Sequence, residues 1–214
     1  MMTNMFSRER KRQAKIVASV IFAILMLVLF VGSWRAKVQV ANERIDASWA
    51  SLSFSLERRQ DFFLEIIKYI QQKAPHEKKL LNTLMQNYQS LPQDVVGNEI
   101  LMNAATNQVF VTRHLAVSVL TPKIAQYTWQ NTTLSGDKQY YRKLKNLYVT
   151  TYQIKNTQMI LNQEIDFYNR SLNEWSGIIL NSLFRYPKKL KLGEIVGEQM
   201  SIYEFMGETE IDNT

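Results

Sequence analysis

The 214-residue sequence predicts an all-α fold: an N-terminal transmembrane helix followed by an antiparallel bundle of long helices. Three observations predict it. No charged residue occurs between Ile16 and Trp34, and the run 16–31 is almost wholly apolar, which matches the roughly 30 Å hydrocarbon core of a bilayer. Two long seams, 38–70 and 140–179, repeat their oily residues in steps of three and four, the period of a helix face. Seven Gly and four Pro are few turn-makers for an all-β or α/β chain of this length.

Residues 1–15 read as a basic cytoplasmic tail, since Arg8, Arg10, Lys11, Arg12 and Lys15 against Glu9 place +4 of the formal +7 charge there. The basic bias is therefore mainly a membrane flank. Residues 16–34 read as an uncleaved anchor; the alternative, a signal peptide ending near Val31-Gly32-Ser33, lacks a polar exit region. Five basic residues precede the span and three (Arg35, Lys37, Arg44) follow it closely. The positive-inside rule thus places the N-terminus in the cytoplasm and the bundle on the outer, periplasmic or extracellular, side of the membrane.

Beyond the anchor, 35–186 reads as a bundle. Its first seam runs through Val38, Ala41, Ile45, Trp49, Leu52, Leu56, Phe63, Ile66 and Ile70, with Arg59 taking one turn. At about 1.5 Å per residue it reaches roughly 50 Å. It ends at Ala74-Pro75, because proline disfavours helix at the residue before it. A second helix is expected over 76–91 and a third over 95–120, the latter weakened by the β-branched Val109-Phe110-Val111-Thr112 and closed or kinked at Pro122. The polar stretch 126–138 reads as a loop. The last helix is the most regular: Tyr140, Leu144, Leu147, Thr151, Ile154, Gln158, Leu161, Ile165, Tyr168, Leu172, Trp175 and Ile179 keep four-three spacing throughout, and ten of these twelve are apolar or aromatic, so they predict one buried stripe. Residues 187–214 read as a flexible tail. Paired seams also suit a parallel coiled coil, but the breaks near Pro75 and Pro92 and the bulky Trp49, Phe63, Tyr168 and Trp175 favour chain reversal into a bundle.

Ser48-Trp49, Leu56-Glu57-Arg58-Arg59-Gln60-Asp61-Phe62-Phe63, Ile66-Ile67 and His76-Glu77 stand in order and spacing that resemble the LemA family, whose hallmark joins a tryptophan, a leucine with a basic pair and an aspartate, a hydrophobic patch and a His-Glu pair. Nearer the C-terminus, Leu161-Asn162, Tyr168-Asn169, Trp175-Ser176 and Leu183-Phe184-Arg185-Tyr186 resemble the family's seven-residue echo of Tyr-Asn, Phe-Pro and Leu-Phe-Gly-Phe. Departures are Leu64 and Glu65 for Pro-Asn, Ser176 for Pro, and Thr151 and Gln158 for a Glu and an Arg. The resemblance implies a membrane-anchored antiparallel helical bundle of the bacterial inner membrane whose biochemical role is poorly defined; it does not imply an enzyme.

The residues themselves offer little chemistry. Without cysteine the chain has no disulfide, thiolate nucleophile or cysteine zinc site. His76-Glu77 opens like a His-Glu-x-x-His zinc helix, but Leu80 stands where the second histidine belongs; the pair instead suits the first turn after Pro75, where Glu77 complements the helix dipole. His76 and His114 cannot supply the paired Glu-x-x-His motifs of a di-metal bundle, although haem ligation by either stays open. No phosphate-cradling glycine loop, zinc-finger spacing or aromatic RNA-binding signature appears, so nucleic acid is not an expected partner.

The polar interruptions of the seams are the candidate site. Arg59 either faces the core, where it needs a carboxylate, carbonyls or Gln158, or snorkels at the bundle edge on its aliphatic stem, the placement its stem favours. Asn162 and Asn169, seven apart, share one helix flank and serve either structure or a partner surface. With Trp49, Arg58, Asp61, His76 and Glu77 they complete the set. The expected protein is a non-enzymatic, single-pass scaffold or adaptor that works through contacts with other envelope or membrane proteins, without metal or cofactor. The alternative is a ligand-sensing bundle that signals through a membrane partner; a hydrolase or metal enzyme ranks last.

Overall fold

A computed structural model describes residues 2–73, 81–83, 85, 86, 97–130, 134 and 136–197. The described residues are helical except for short connections and an extended C-terminal segment. No proline and a single glycine, Gly32, interrupt the first helix, α1 (Met2–Lys73), so one rod of about 110 Å runs from the basic tail through the apolar span into the bundle. The span is long and apolar enough to cross a membrane, and every large apolar residue from Ile16 to Leu29 is more than half exposed. Cover by other parts of the chain starts near Phe30 and is complete at Trp34, 5 % exposed.

Four further helices have both ends within the described residues. These are α2 (Gly97–Met102), α3 (Ala104–Gln130), α4 (Lys138–Asn173) and α5 (Trp175–Phe184). α4 lies antiparallel to α1: Tyr69 Oη donates to Asp137 at 2.5 Å, Lys143 pairs with Glu65 at 3.1 Å, and Lys37 pairs with Glu174 at 2.9 Å, so partner numbers fall on one as they rise on the other. Asp137 caps α4 by accepting the Gln139 and Tyr140 N–H groups. The first seam is buried at Val38, Ala41, Ile45, Leu52, Leu56, Arg59, Phe63, Ile66 and Ile70, with Trp49 half-buried, and the second is buried from Tyr140 to Leu172. This is an all-α bundle, as the two seams predict.

Four expectations change. The third helix is split at Asn103, whose side chain accepts the Ala105 and Thr106 N–H groups as an N-cap. Its second part does not close at Pro122 and runs to Gln130, shortening the expected loop, because Ile124 and Ala125 are fully buried and their packing outweighs the hydrogen bond proline removes. The last helix breaks at Glu174, so Trp175 and Ile179 leave the buried stripe and stand 71 % and 60 % exposed. Gly177 makes the bend possible: a Cβ there would overlap the Ser171 carbonyl oxygen and sit 2.8 Å from the Leu172 carbonyl.

The fourth change concerns the expected tail. Residues 187–197 form an extended strap packed into the bundle, with Leu192, Ile195 and Val196 at most 3 % exposed. Leu190 N–H donates to Leu101 O at 2.7 Å, Asn107 Nδ2 to Lys191 O at 3.2 Å, and Gly197 N–H to Ser118 Oγ at 2.9 Å, so the strap ties α2 and α3 to α4. The remaining tail, 198–214, lies outside the described residues, as does most of the helix expected over 76–91, of which 81–83, 85 and 86 are helical.

Candidate functional site

The core is two hydrophobic clusters separated by one polar layer. The first gathers Ile45, Leu52, Leu56, Phe110, Ile154 and Leu161, the second Phe63, Ile66, Val117, Leu144 and Leu147. Between them along each helix fall Arg59 on α1, His114 on α3, and Thr150 and Thr151 on α4, all buried. Arg59 thus does not snorkel. It is fully buried because its seam position points at the bundle axis and helices cover it on every side, and it is not held by Gln158. Its Nη2 donates to His114 Nδ1 at 2.9 Å, which requires an unprotonated Nδ1. Nε and Nη1 have no hydrogen-bond partner among the described residues. Desolvation, then the charge of Arg59, pushes His114 from its ordinary 6.5 down to about 3, while burial lowers Arg59 only to about 10; at neutral pH the layer is one cation beside one neutral imidazole.

An aromatic chain leads outward from this layer. The His114 ring lies 4.4 Å from that of Phe110, and Phe110 lies 5.6 Å from Trp49. Trp49 fills the space over Gly97 at the start of α2, where any Cβ would meet the indole. This places the tryptophan of the sequence motif between α1, α2 and α3 as a packing element.

The polar residues of α4 form a second arrangement. Asn169 donates to Lys189 O at 2.7 Å and accepts Lys189 N–H at 2.9 Å; Asn162 does the same to Leu192, with both bonds at 2.9 Å. Each carboxamide therefore pairs with the strap as a neighbouring strand would. The spacing fits, since seven helical residues and three extended ones both span about 10 Å. Gln158 continues the row, donating to Gly193 O and accepting Ile195 N–H at 3.4 Å, and Tyr168 Oη donates to Pro187 O at 3.1 Å. Asn162→Ala removes both bonds to Leu192 and is expected to cost about 1–3 kcal/mol. Urea unfolding should shift to lower concentration and protease should cut the strap faster near Lys191; unchanged cleavage of the variant contradicts the clamp.

The other described candidates of the motif do not converge on Arg59. Arg58 is exposed, with its guanidinium 5.6 Å from the Phe62 ring, and Asp61 is exposed. His76 and Glu77 lie outside the described residues. Among the described residues no three acidic or histidine side chains gather as a metal-binding group would. His114, which reading the sequence did not connect to Arg59, is the residue that completes the layer; its only cue is its place one turn after Phe110.

A groove of about 580 Å³ opens where the strap meets α1, lined by Val38, Gln39, Asn42, Met102, Tyr168, Tyr186, Pro187 and Lys189. Burial lowers the Lys189 ammonium below its ordinary value, and its Nζ lies 5.7 Å from the Tyr168 ring.

No curated protein and no solved structure matches the chain. The LemA family model matches residues 48–199, from beside Trp49 through the Asn162 and Asn169 clamp and past the described end of the strap. With that match covering well over half its length, the chain belongs to the LemA family.

Proposed function

We propose that this protein is a single-pass scaffold of the bacterial inner membrane, with its N-terminus in the cytoplasm and its bundle outside, and that it works by binding other membrane or envelope proteins rather than by catalysis. One observation carries the reading. Val149, Tyr152, Met159, Ile160 and Phe167 of α4 are each 39 % or more exposed. At 100° per residue they fall within an arc of about 100° and about 27 Å of helix. That arc lies opposite the stripe that α4 buries against α1. A helix of a bundle ordinarily keeps its solvent side polar, so a second apolar stripe marks a surface for a partner. The rigid α1 connects that surface to the membrane span without a hinge.

Photo-crosslinking amino acids at positions 152 and 159 of the full-length protein in native membranes test this. Discrete adducts with other proteins are expected there and not at exposed Glu57 on α1. No adducts on the stripe, or equal labelling at position 57, would refute partner binding by this face.

A further inference from the structure

The short helix α5 leaves its apolar side uncovered at one particular height of the molecule. Trp175, Ile178, Ile179 and Leu183 are 71 %, 63 %, 60 % and 72 % exposed, and steps of three, one and four put them on one face. The opposite face is buried at Gly177 and Leu180. Both ends of α5 are fastened to the end of the apolar span of α1. The Trp175 ring stacks on Phe30 at 5.9 Å, and Phe184 stacks on Trp34 at 6.0 Å. Phe30 is the last large residue of the exposed apolar run, so this contact holds α5 at the depth where the span leaves hydrocarbon.

The surroundings match that depth. Trp175, 71 % exposed, and the half-buried Tyr186 supply amphipathic rings of the kind that gather at bilayer interfaces, and both pack on the end of the span, Trp175 on Phe30 and Tyr186 on the buried Trp34. Exposed Arg185 and Lys188 follow α5 directly in the chain, and the exposed Arg35 guanidinium stands 4.9 Å from the Phe184 ring centroid, so positive charge gathers at the C-terminal end of α5. The end of α5 is set firmly. Arg185 turns the chain in the left-handed region (φ 54°), and Asn181 both accepts Tyr186 N–H at 2.7 Å and donates to Tyr186 O at 3.1 Å.

We propose that α5 is an interfacial helix that lies in the headgroup and acyl boundary of the same bilayer that α1 crosses, on the bundle's side. Trp175, Ile178, Ile179 and Leu183 take up the upper acyl chains, and Arg35, Arg185 and Lys188 meet lipid phosphates. The proposal rests on the reading of α1 as a membrane anchor. It adds a second attachment, which fixes how the bundle stands on the membrane and which way the α4 stripe faces.

The chain has no cysteine, so single spin labels enter the full-length protein without background. Labels at Ile179→Cys and Leu183→Cys, in vesicles of phosphatidylethanolamine and phosphatidylglycerol, are expected to collide several-fold more with oxygen than with a polar nickel chelate. Val20→Cys in the span should behave likewise and Phe54→Cys, exposed on the bundle, should show the reverse. Labels at 179 and 183 that prefer the chelate overturn the proposal while Val20→Cys still shows the anchor. Labels there shielded from both reagents overturn it in favour of a protein partner or second copy. A Val20→Cys label in water removes the anchor reading itself.

Discussion

Replacing His114 with leucine is expected to lower the stability of the fold by about 3 kcal/mol or more, and adding Arg59→Met to that variant is expected to restore it to at least the wild-type level. Arg59 is completely buried and one nitrogen of its guanidinium is hydrogen-bonded, to His114 Nδ1. Removing the imidazole takes away the one acceptor that the buried cation has among the described residues. Removing the cation as well leaves an apolar contact between the two hydrophobic clusters, which costs no charge desolvation. Arg59→Met alone strands one neutral acceptor and should fall between the two. Thermal and urea unfolding of the full-length protein in detergent, followed by helical circular dichroism, give the comparison. Should His114→Leu match the wild type, or the double variant stay as unstable as His114→Leu, the layer does not have the energetics assigned to it.

If the double variant is the more stable, the layer is retained for something other than stability. Its position suggests what. Arg59, His114, Thr150 and Thr151 stand at one level on three helices, between clusters built of similar aliphatic residues. The aliphatic positions of the two seams resist a slip by one heptad only weakly, whereas a slip that moves Arg59 against an apolar layer strands its charge. Register between α1 and α4 sets the heights, along the rod of α1, at which the exposed stripe of α4 and the helix α5 stand.

Most of the architecture was legible because helix period writes itself into sequence. The buried positions of α1 from Val38 to Ile70 and of α4 from Tyr140 to Leu172 are the positions the spacing marks. What escaped has no period. The strap mixes Lys, Leu, Gly, Ile and Val without a helix period, and its order comes from carboxamides on another element, so Asn162 and Asn169 were visible as a flank while their partner was not. The break at Glu174 was hidden because the four-three spacing runs on through Trp175 and Ile179, and Gly177 gave the sole cue. Arg59 was ambiguous in kind: its seam position pointed inward, its flexible stem outward, and a partner from α3 decided it.

Acid should unfold the wild-type protein earlier than the Arg59→Met/His114→Leu variant, and the difference should open between pH 6.5 and about 4.5. The folded state holds His114 near 3, well below the 6.5 of an exposed imidazole, first through burial and then through the Arg59 charge. Below 6.5 the unfolded chain therefore binds a proton that the folded chain does not. The stability this neutral imidazole carries is complete above 6.5 and is lost as pH falls towards 3, at most by about 1.4 kcal/mol per pH unit. Arg59 stays a cation across this window, because its own lowered value near 10 lies far above it. Asp137 acts in the same direction but later: the Tyr69 hydrogen bond, above all, holds it below its ordinary 3.8, so its contribution disappears only under that pH. Urea midpoints measured at pH 6.5 and 4.5 separate the two groups. The wild type should lose several tenths to a few kcal/mol more than the double variant over that interval. Parallel losses in the two proteins would mean that His114 takes up its proton in the folded state, and that the Arg59 layer is wet rather than sealed.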